Sequence, residues 1–172
     1  MIVVDGCEKF FGKYRGKVED NLDPLGLGRV KVSVADVLGD GTMAWAMPCF
    51  PGAGPGVGLY AIPPVGGNVW VEFERGEPDY PVYSGGFWDA GDAPVPMGPT
   101  QQNVKAWVGD GFRVEINDLP GLGELTISVT TATGDAVLSA DASAMSLSFS
   151  GSSVKIDATG VTVNDGNLKV LP

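Results

Sequence analysis

The 172-residue sequence contains no histidine, two cysteines, and 11 lysines and arginines against 21 aspartates and glutamates. Without histidine, catalytic sites of the Ser-His-Asp and Cys-His types, zinc sites with histidine ligands and histidine-based pH switches are all excluded. Cys7 and Cys49 are too few for a disulfide framework or a four-thiolate metal site, and we expect two reduced thiols. We therefore expect neither a metal nor a cofactor.

Positive charge and long apolar runs are also scarce. The formal net charge of −10 argues against nucleic acid as a partner, because binding to phosphates needs clustered cations. No apolar run approaches the roughly 18 residues of a membrane span. Residues 1–9 lack the basic start and the apolar core of a signal peptide, so we expect a protein made in the bacterial cytoplasm without a secretory leader.

Glycine and proline are abundant, at 26 and 13 residues, and they separate short segments in which apolar and polar residues alternate. This alternation is the period of a strand with one buried face, and no stretch shows sustained helical periodicity. We therefore predict an all-β fold, with a small closed barrel in residues 1–88. The barrel strands are predicted at 14–19, 29–34, 43–47, 57–62, 68–74 and 81–85.

The composition changes downstream of the barrel. Residues 89–104 are rich in proline and glycine, which predicts an extended linker. In residues 105–172 aromatic residues become rare, and apolar residues alternate in short packets separated by Gly, Ser, Asn, Asp and Thr. Such packets predict very short strands, and we expect one chain to leave both their apolar faces and their edges uncovered.

Three identical chains wound around a common axis would cover these faces and edges, and would place glycine and asparagine at the corners. The alternatives are a monomeric sandwich formed with the N-terminal part, and a disordered tail. For the trimer, our candidate functional residues are the apolar packet members, which would form the needle core and trimer interface. They are Leu125, Ile127, Val129, Met145, Leu147, Phe149, Val154, Ile156, Val161, Val163, Leu168 and Val170.

Three blocks of sequence resemble a known family. Residues 14–32 read YRGKVEDNLDPLGLGRVKV, residues 63–82 read PPVGGNVWVEFERGEPDYPV, and residues 111–118 read GFRVEIND. The first two blocks are similar to the two hallmark segments of the OB-fold domain in phage baseplate spike proteins, except that Glu77 stands where the family has Asp. The third block resembles the strand that opens their triple-stranded β-helix. The family also includes the valine-glycine-repeat spikes of type VI secretion.

The resemblance implies an N-terminal OB-fold barrel followed by a C-terminal intertwined trimeric β-helix, or needle. It implies a homotrimeric central spike in the baseplate of a contractile phage tail or of a related injection particle. Such a spike would dock under a trimeric hub protein and transmit the force of contraction to puncture the cell envelope. The C-terminal end, Asn167 to Pro172, resembles a needle that stops bare or receives a separate capping protein.

Two departures limit what can be transferred from the family. Some relatives carry a peptidoglycan-cleaving domain between barrel and needle, where this chain has only the linker 89–104. Several relatives close the needle with a His-x-His iron site, which a chain without histidine cannot form. We therefore expect a structural protein and not an enzyme.

Two other functions remain open. The first is a trimeric receptor- or carbohydrate-binding tail protein, in which Trp88 and Trp107 contact glycans. The second is a glycan hydrolase that uses paired carboxylates. The acidic pairs available for it are Asp20 with Asp23, and Glu72 with Glu74 or Glu77.

Within the first block, local chemistry gives two further expectations. Gly26 and Gly28 flank the turn into a strand, where a positive φ is expected. Arg29 is expected to pair with Asp20 or Asp23 in an exposed ion pair, which would contribute about 0–1 kcal/mol. We assign these residues to architecture and not to a ligand site.

Overall fold

A computed structural model describes residues 2–4, 7–95 and 97–171. The chain divides into two compact units, Met1–Gly91 and Asp92–Pro172. Both are built from strands, which confirms the predicted all-β fold class. The finer partition at residues 88 and 104 stays a prediction. Of the predicted linker, Pro96 lies outside the described residues, as does Pro172 of the predicted needle end.

The described residues of the N-terminal unit form nine strands and one short α-helix. They are β1 (Ile2–Val4), β2 (Cys7–Lys9), β3 (Tyr14–Asp20), β4 (Val30–Ser33), α1 (Ala35–Leu38), β5 (Met43–Pro48), β6 (Ala53–Gly54), β7 (Val57–Gly58), β8 (Asn68–Phe73) and β9 (Pro81–Phe87). Strands β3-β4-β5-β9-β8 close into a five-stranded barrel. The β5–β9 pair is parallel and the other pairs are antiparallel.

The barrel interior is filled by β-branched residues, which suit a pleated surface. Alternate positions of three strands point inward, so that Val18, Val30, Val32, Val69 and Val71 are at most 1% exposed. The ring is closed, so it leaves no strand edge within it, and it encloses these valines in a core of its own; the predicted barrel is confirmed.

Three local features differ from the sequence-based predictions. The predicted strand 57–62 does not join the barrel: only Val57–Gly58 is a strand, paired with Ala53–Gly54 in a small hairpin. Glycine and proline offer few side chains to pack there, and every residue from 51 to 61 is exposed. The hairpin β1–β2 and the one-turn helix α1 were not predicted, because each is too short for a periodic signal.

In the part of the C-terminal unit that the structure describes, the strands form a single antiparallel sheet of eight in sequence order. They are β10 (Val104–Gly109), β11 (Phe112–Asn117), β12 (Glu124–Thr131), β13 (Gly134–Ala140), β14 (Ala144–Phe149), β15 (Ser152–Asp157), β16 (Gly160–Val163) and β17 (Leu168–Val170). Each strand from β11 to β16 therefore has both neighbours in its own chain. We expected long unpaired edges in a single chain, but the meander leaves edges only at β10 and β17.

Short 3₁₀ turns complete the chain at Glu74–Gly76, Gln101–Asn103 and Asn164–Gly166. Among the described residues, no helix has the length and apolar character needed to cross a membrane.

Candidate trimerisation interface

The register of the C-terminal sheet collects its apolar side chains on one face. Cross-strand partners of an antiparallel pair lie on the same face, so the pairing defines rows of side chains across the strands. The rows are Leu125–Ala140–Met145–Ile156–Val161–Val170, Ile127–Leu138–Leu147–Val154–Val163–Leu168, and Val129–Ala136–Phe149–Ser152. All of the candidate residues lie in these rows, on what we call the apolar face.

The chain does not cover the apolar face. Met145, Leu147 and Phe149 are 52%, 56% and 46% exposed, whereas the valines of the barrel interior are almost fully enclosed. No described residue between 92 and 171 is buried. A continuous apolar surface of this kind marks a site of association with another molecule.

The opposite face of the sheet is polar. Ser139 and Ser146 lie side by side across β13 and β14, with their hydroxyl oxygens 2.7 Å apart. On β15, Lys155 Nζ lies 3.2 Å from a carboxylate oxygen of Asp157. The sheet is therefore amphipathic, and its two faces suit different environments, one dry and one in water.

Five large apolar residues also belong to the apolar face and were not among the sequence candidates. Pairing of β10 with β11 and of β11 with β12 places Trp107, Phe112, Val114 and Ile116 there, and Leu138 occupies the second row. The rings of Trp107 and Phe112 meet edge to face with centroids 5.0 Å apart. The alternation of Phe112, Val114 and Ile116 carried this signal for β11. In β10 the alternating apolar residues are Val104, Ala106 and Val108, which lie on the face opposite Trp107, so alternation did not indicate Trp107.

Carboxylates fix the turns along one edge of the sheet. The Asp157 carboxylate accepts hydrogen bonds from the hydroxyl and the backbone N–H of Thr159, at 2.6 and 2.7 Å. These bonds and the neighbouring Lys155 lower the pKa of Asp157 to about 2. Asp141 binds Ser143 in the same way, and its pKa is also lowered. Each carboxylate stabilises a tight turn and so helps to set the register of the adjoining strands.

Two of the acidic candidates of the barrel, Glu72 and Glu77, pair with lysines and not with each other. Glu72 lies 3.4 Å from Lys13 Nζ, and Glu77 binds Lys9. Glu74 begins a 3₁₀ turn and does not continue the strand of Glu72. Within the described part of the chain, no group of three or more Asp, Glu, Cys or His side chains is arranged to hold a metal ion.

Asp23 organises the loop before β4. Its carboxylate receives two hydrogen bonds from the Arg29 guanidinium, at 2.7 and 3.1 Å, and others from the backbone N–H groups of Leu25, Leu27 and Arg29. The Asp23 side chain is 3% exposed, so the expected solvent-exposed ion pair is instead an enclosed one. These donors hold the pKa of Asp23 far below its usual range.

Comparison with known families assigns both units. Residues 14–88 match the type VI secretion system/phage-baseplate injector OB domain. Residues 108–169 match the phage baseplate V C-terminal trimerisation domain, and the chain accordingly forms a homotrimer. No curated protein matches the chain. With these two domain models matched in this order along most of its length, the chain belongs to the baseplate V family of phage-baseplate and type VI secretion spike proteins.

Proposed function

We propose that the apolar face of the C-terminal sheet is the surface through which three chains associate. The observation that carries the proposal is a continuous apolar face, uncovered in one chain, on a domain that matches a trimerisation family. Packing three such faces around an axis removes them from water and leaves the three polar faces outside.

The association is expected to be strong because of the number of residues involved. Complete burial of an exposed Val, Leu, Ile, Met or Phe contributes about 1.5–3 kcal/mol. Since residues such as Leu147 and Ile156 are already about half covered in the single chain, roughly 1 kcal/mol per residue remains to be gained on association. Every contribution occurs three times in a symmetric trimer.

We further propose that the trimer acts mechanically, as the spike that contraction drives into the cell envelope, and that it catalyses no reaction. In this role the barrel docks under a trimeric hub, and the narrow end is either bare or capped by another protein. Strand length supports a pointed shape, because it falls from eight residues in β12 to six in β14, four in β16 and three in β17. A trimer of narrowing sheets tapers toward its C-terminal strands and concentrates an axial load there.

The interface is tested by a matched pair of substitutions in β14. Leu147 and Ser148 are adjacent in sequence and point to opposite faces. Leu147→Asp places a charge in the dry interface, so we expect a protein with the mass of one chain in solution. Ser148→Asp changes the polar face and should leave the mass of three chains. If Leu147→Asp remains trimeric, the apolar face is not the interface.

The mechanical role is tested in assembled particles with a second matched pair, Ile156→Ala and Lys155→Ala. Ile156 lies on the apolar face and Lys155 on the opposite face of the same strand. If the spike transmits force, Ile156→Ala should reduce envelope permeabilisation while adsorption to cells is unchanged, and Lys155→Ala should behave as wild type. Loss of permeabilisation only when exposed Trp88 is replaced, together with loss of adsorption, would instead indicate the carbohydrate-binding function.

A further inference from the structure

A long segment of the barrel unit carries no charge. Between Asp40 and Glu72 the sequence contains no Asp, Glu, Lys or Arg, although charged residues make up 19% of the chain. Residues 51–61, in the middle of this segment, are all exposed. Depletion of charge on an exposed surface is typical of the centre of a protein interface.

This segment forms one wall of a groove, which we call the barrel groove. Its volume is about 380 Å³, and it lies between the loop at residues 21–28 and the β6–β7 hairpin. Its large apolar side chains are Leu27, Phe50, Val57, Leu59 and Tyr60. Val57, Leu59 and Tyr60 are 73%, 50% and 69% exposed.

The loop side of the groove is held rigidly. Besides the Asp23 hydrogen bonds, the hydroxyl of the buried Tyr83 donates to the Gly28 carbonyl at 2.7 Å. A Cβ atom at Gly28 would lie 3.3 Å from the Tyr60 ring, so the two walls are in close contact at this point. A surface that is ordered before binding loses less conformational entropy when it is covered. The same loop projects two leucines into solvent, Leu22 and Leu25, which are 82% and 64% exposed.

We infer that the barrel groove receives the leucine-bearing loop at residues 21–28 of a neighbouring barrel in the same trimer. This inference rests on the trimer formed by the C-terminal unit. Trimerisation tethers three barrels together, and tethering gives an effective concentration in the millimolar range, so a weak apolar contact becomes occupied. A head-to-tail contact of this kind closes into a ring of three.

Charge also favours a second copy as the occupant. The chain has a net charge of −10, and like charges brought together across an interface are unfavourable. A contact between identical acidic chains therefore has to use a surface without charged residues, and the segment from Gly41 to Val71 provides one. Leu22 and Leu25 on the loop at residues 21–28 are apolar side chains that suit the apolar lining of the barrel groove.

The test measures the reactivity of engineered thiols in the full-length chain. Cys7 and Cys49, both exposed, are first replaced by serine, and Val57→Cys then reports on the groove. Tyr80→Cys is the control, because Tyr80 is similarly exposed at 62% and lies outside the charge-free segment. Labelling by a maleimide is followed in the trimer and in the Leu147→Asp background.

We expect Val57→Cys to be labelled about tenfold more slowly in the trimer, which corresponds to millimolar effective concentration and a dissociation constant near 0.1 mM. Tyr80→Cys should react equally fast in both backgrounds, because its exposure does not depend on the groove. Adding Leu22→Asp to the trimer should restore fast labelling at position 57 and have no effect in the Leu147→Asp background.

Equal labelling of Val57→Cys in both backgrounds, or no effect of Leu22→Asp in the trimer, would overturn the inference. The mass in solution, measured on the same samples, reports separately on the trimer interface. If Leu147→Asp is still trimeric, the apolar-face proposal fails, and the Leu22→Asp comparison within the trimer still decides the role of the groove.

Discussion

Two glycines in the loop before β4 allow backbone strain to be separated from packing. Gly26 and Gly28 both have positive φ, at +65° and +75°. A Cβ atom at Gly26 would meet nothing within 4 Å, whereas at Gly28 it would lie 3.2 Å from Ile62 Cδ1 and 3.3 Å from Tyr60 Cε2. Alanine at either position introduces the same kind of backbone strain, but only Gly28→Ala also crowds its neighbours.

The expected magnitudes follow from these two costs. A non-glycine residue in the left-handed region costs about 1–2 kcal/mol, which is the whole expected effect of Gly26→Ala on the free energy of unfolding of the barrel. Crowding of Ile62 and of the largely exposed Tyr60 adds about 1 kcal/mol, the low end of the range for an added methyl group, because the atoms that it meets are side-chain ends. We therefore expect Gly28→Ala to destabilise the barrel by about 2–3 kcal/mol, the sum of the two costs.

Hydrogen exchange of the full-length chain is the suitable assay, because it reports on the barrel separately from the C-terminal sheet. The reporter amides are those of β3, which contains the buried Val18, and of β4, which contains the buried Val30 and Val32. Their exchange should accelerate more in Gly28→Ala than in Gly26→Ala. Because the backbone strain is common to both variants, the difference in exchange rate reports the packing cost alone. If the two variants exchange at the same rate, the close contact between the loop and Tyr60 does not stabilise the barrel. The contact with Tyr60 would then not hold the loop side of the barrel groove rigid.

Two further predictions concern acid and the narrow end of the sheet. Because the pKa of Asp157 is lowered to about 2, its ionised form stabilises the fold above the unfolded-state pKa of about 4, and this contribution is lost as pH falls from about 4 to about 2. Thermal unfolding between pH 7 and pH 2 should therefore show a weaker acid dependence in Asp157→Asn than in wild type, and an unchanged dependence would contradict the assignment. Removal of residues 164–172 deletes β17, which contains only two of the candidate residues, Leu168 and Val170. The truncated protein should keep the mass of three chains in solution, but should dissociate in SDS at a lower temperature than wild type. A monomeric product would place the main contact at β17.

The barrel was largely predictable because its strands are bounded by clear turn signals and alternate strictly. Residues 68–73 are an example: Val69, Val71 and Phe73 are buried, as the alternation predicts, and each neighbouring residue is partly exposed. The prediction failed at residues 57–62, which alternate but begin within a stretch rich in glycine and proline at residues 51–58. Alternation over a segment of only six residues does not distinguish a barrel strand from an exposed hairpin. The enclosure of Asp23 was also missed, because burial of a carboxylate depends on the path of a loop and not on sequence spacing.

For the C-terminal sheet, periodicity predicted the composition of the apolar face but not the way in which the strands pair. A period of two places Leu125, Ile127 and Val129 on the same side of β12 whatever their neighbours are. It does not tell whether the neighbouring strand belongs to the same chain or to another. The strand pairs are formed within the chain, by turns that Asp141 and Asp157 stabilise. Pairing within the chain is therefore favoured by the short turns. A short turn closes a local hairpin at a lower entropic cost than pairing between chains.

This pairing leads to a last prediction, on the order of folding and assembly. A meander of consecutive hairpins has mostly local contacts, so a single chain can form the C-terminal sheet before it meets another. During refolding, the far-UV circular dichroism signal of the sheet should appear at a rate independent of protein concentration. The mass of three chains should appear later, at a rate that rises with concentration, because burial of the apolar face needs all three. If strand formation and trimer formation instead show the same concentration dependence, the strands must be exchanged between chains during folding. The apolar face would then be only one part of a shared sheet.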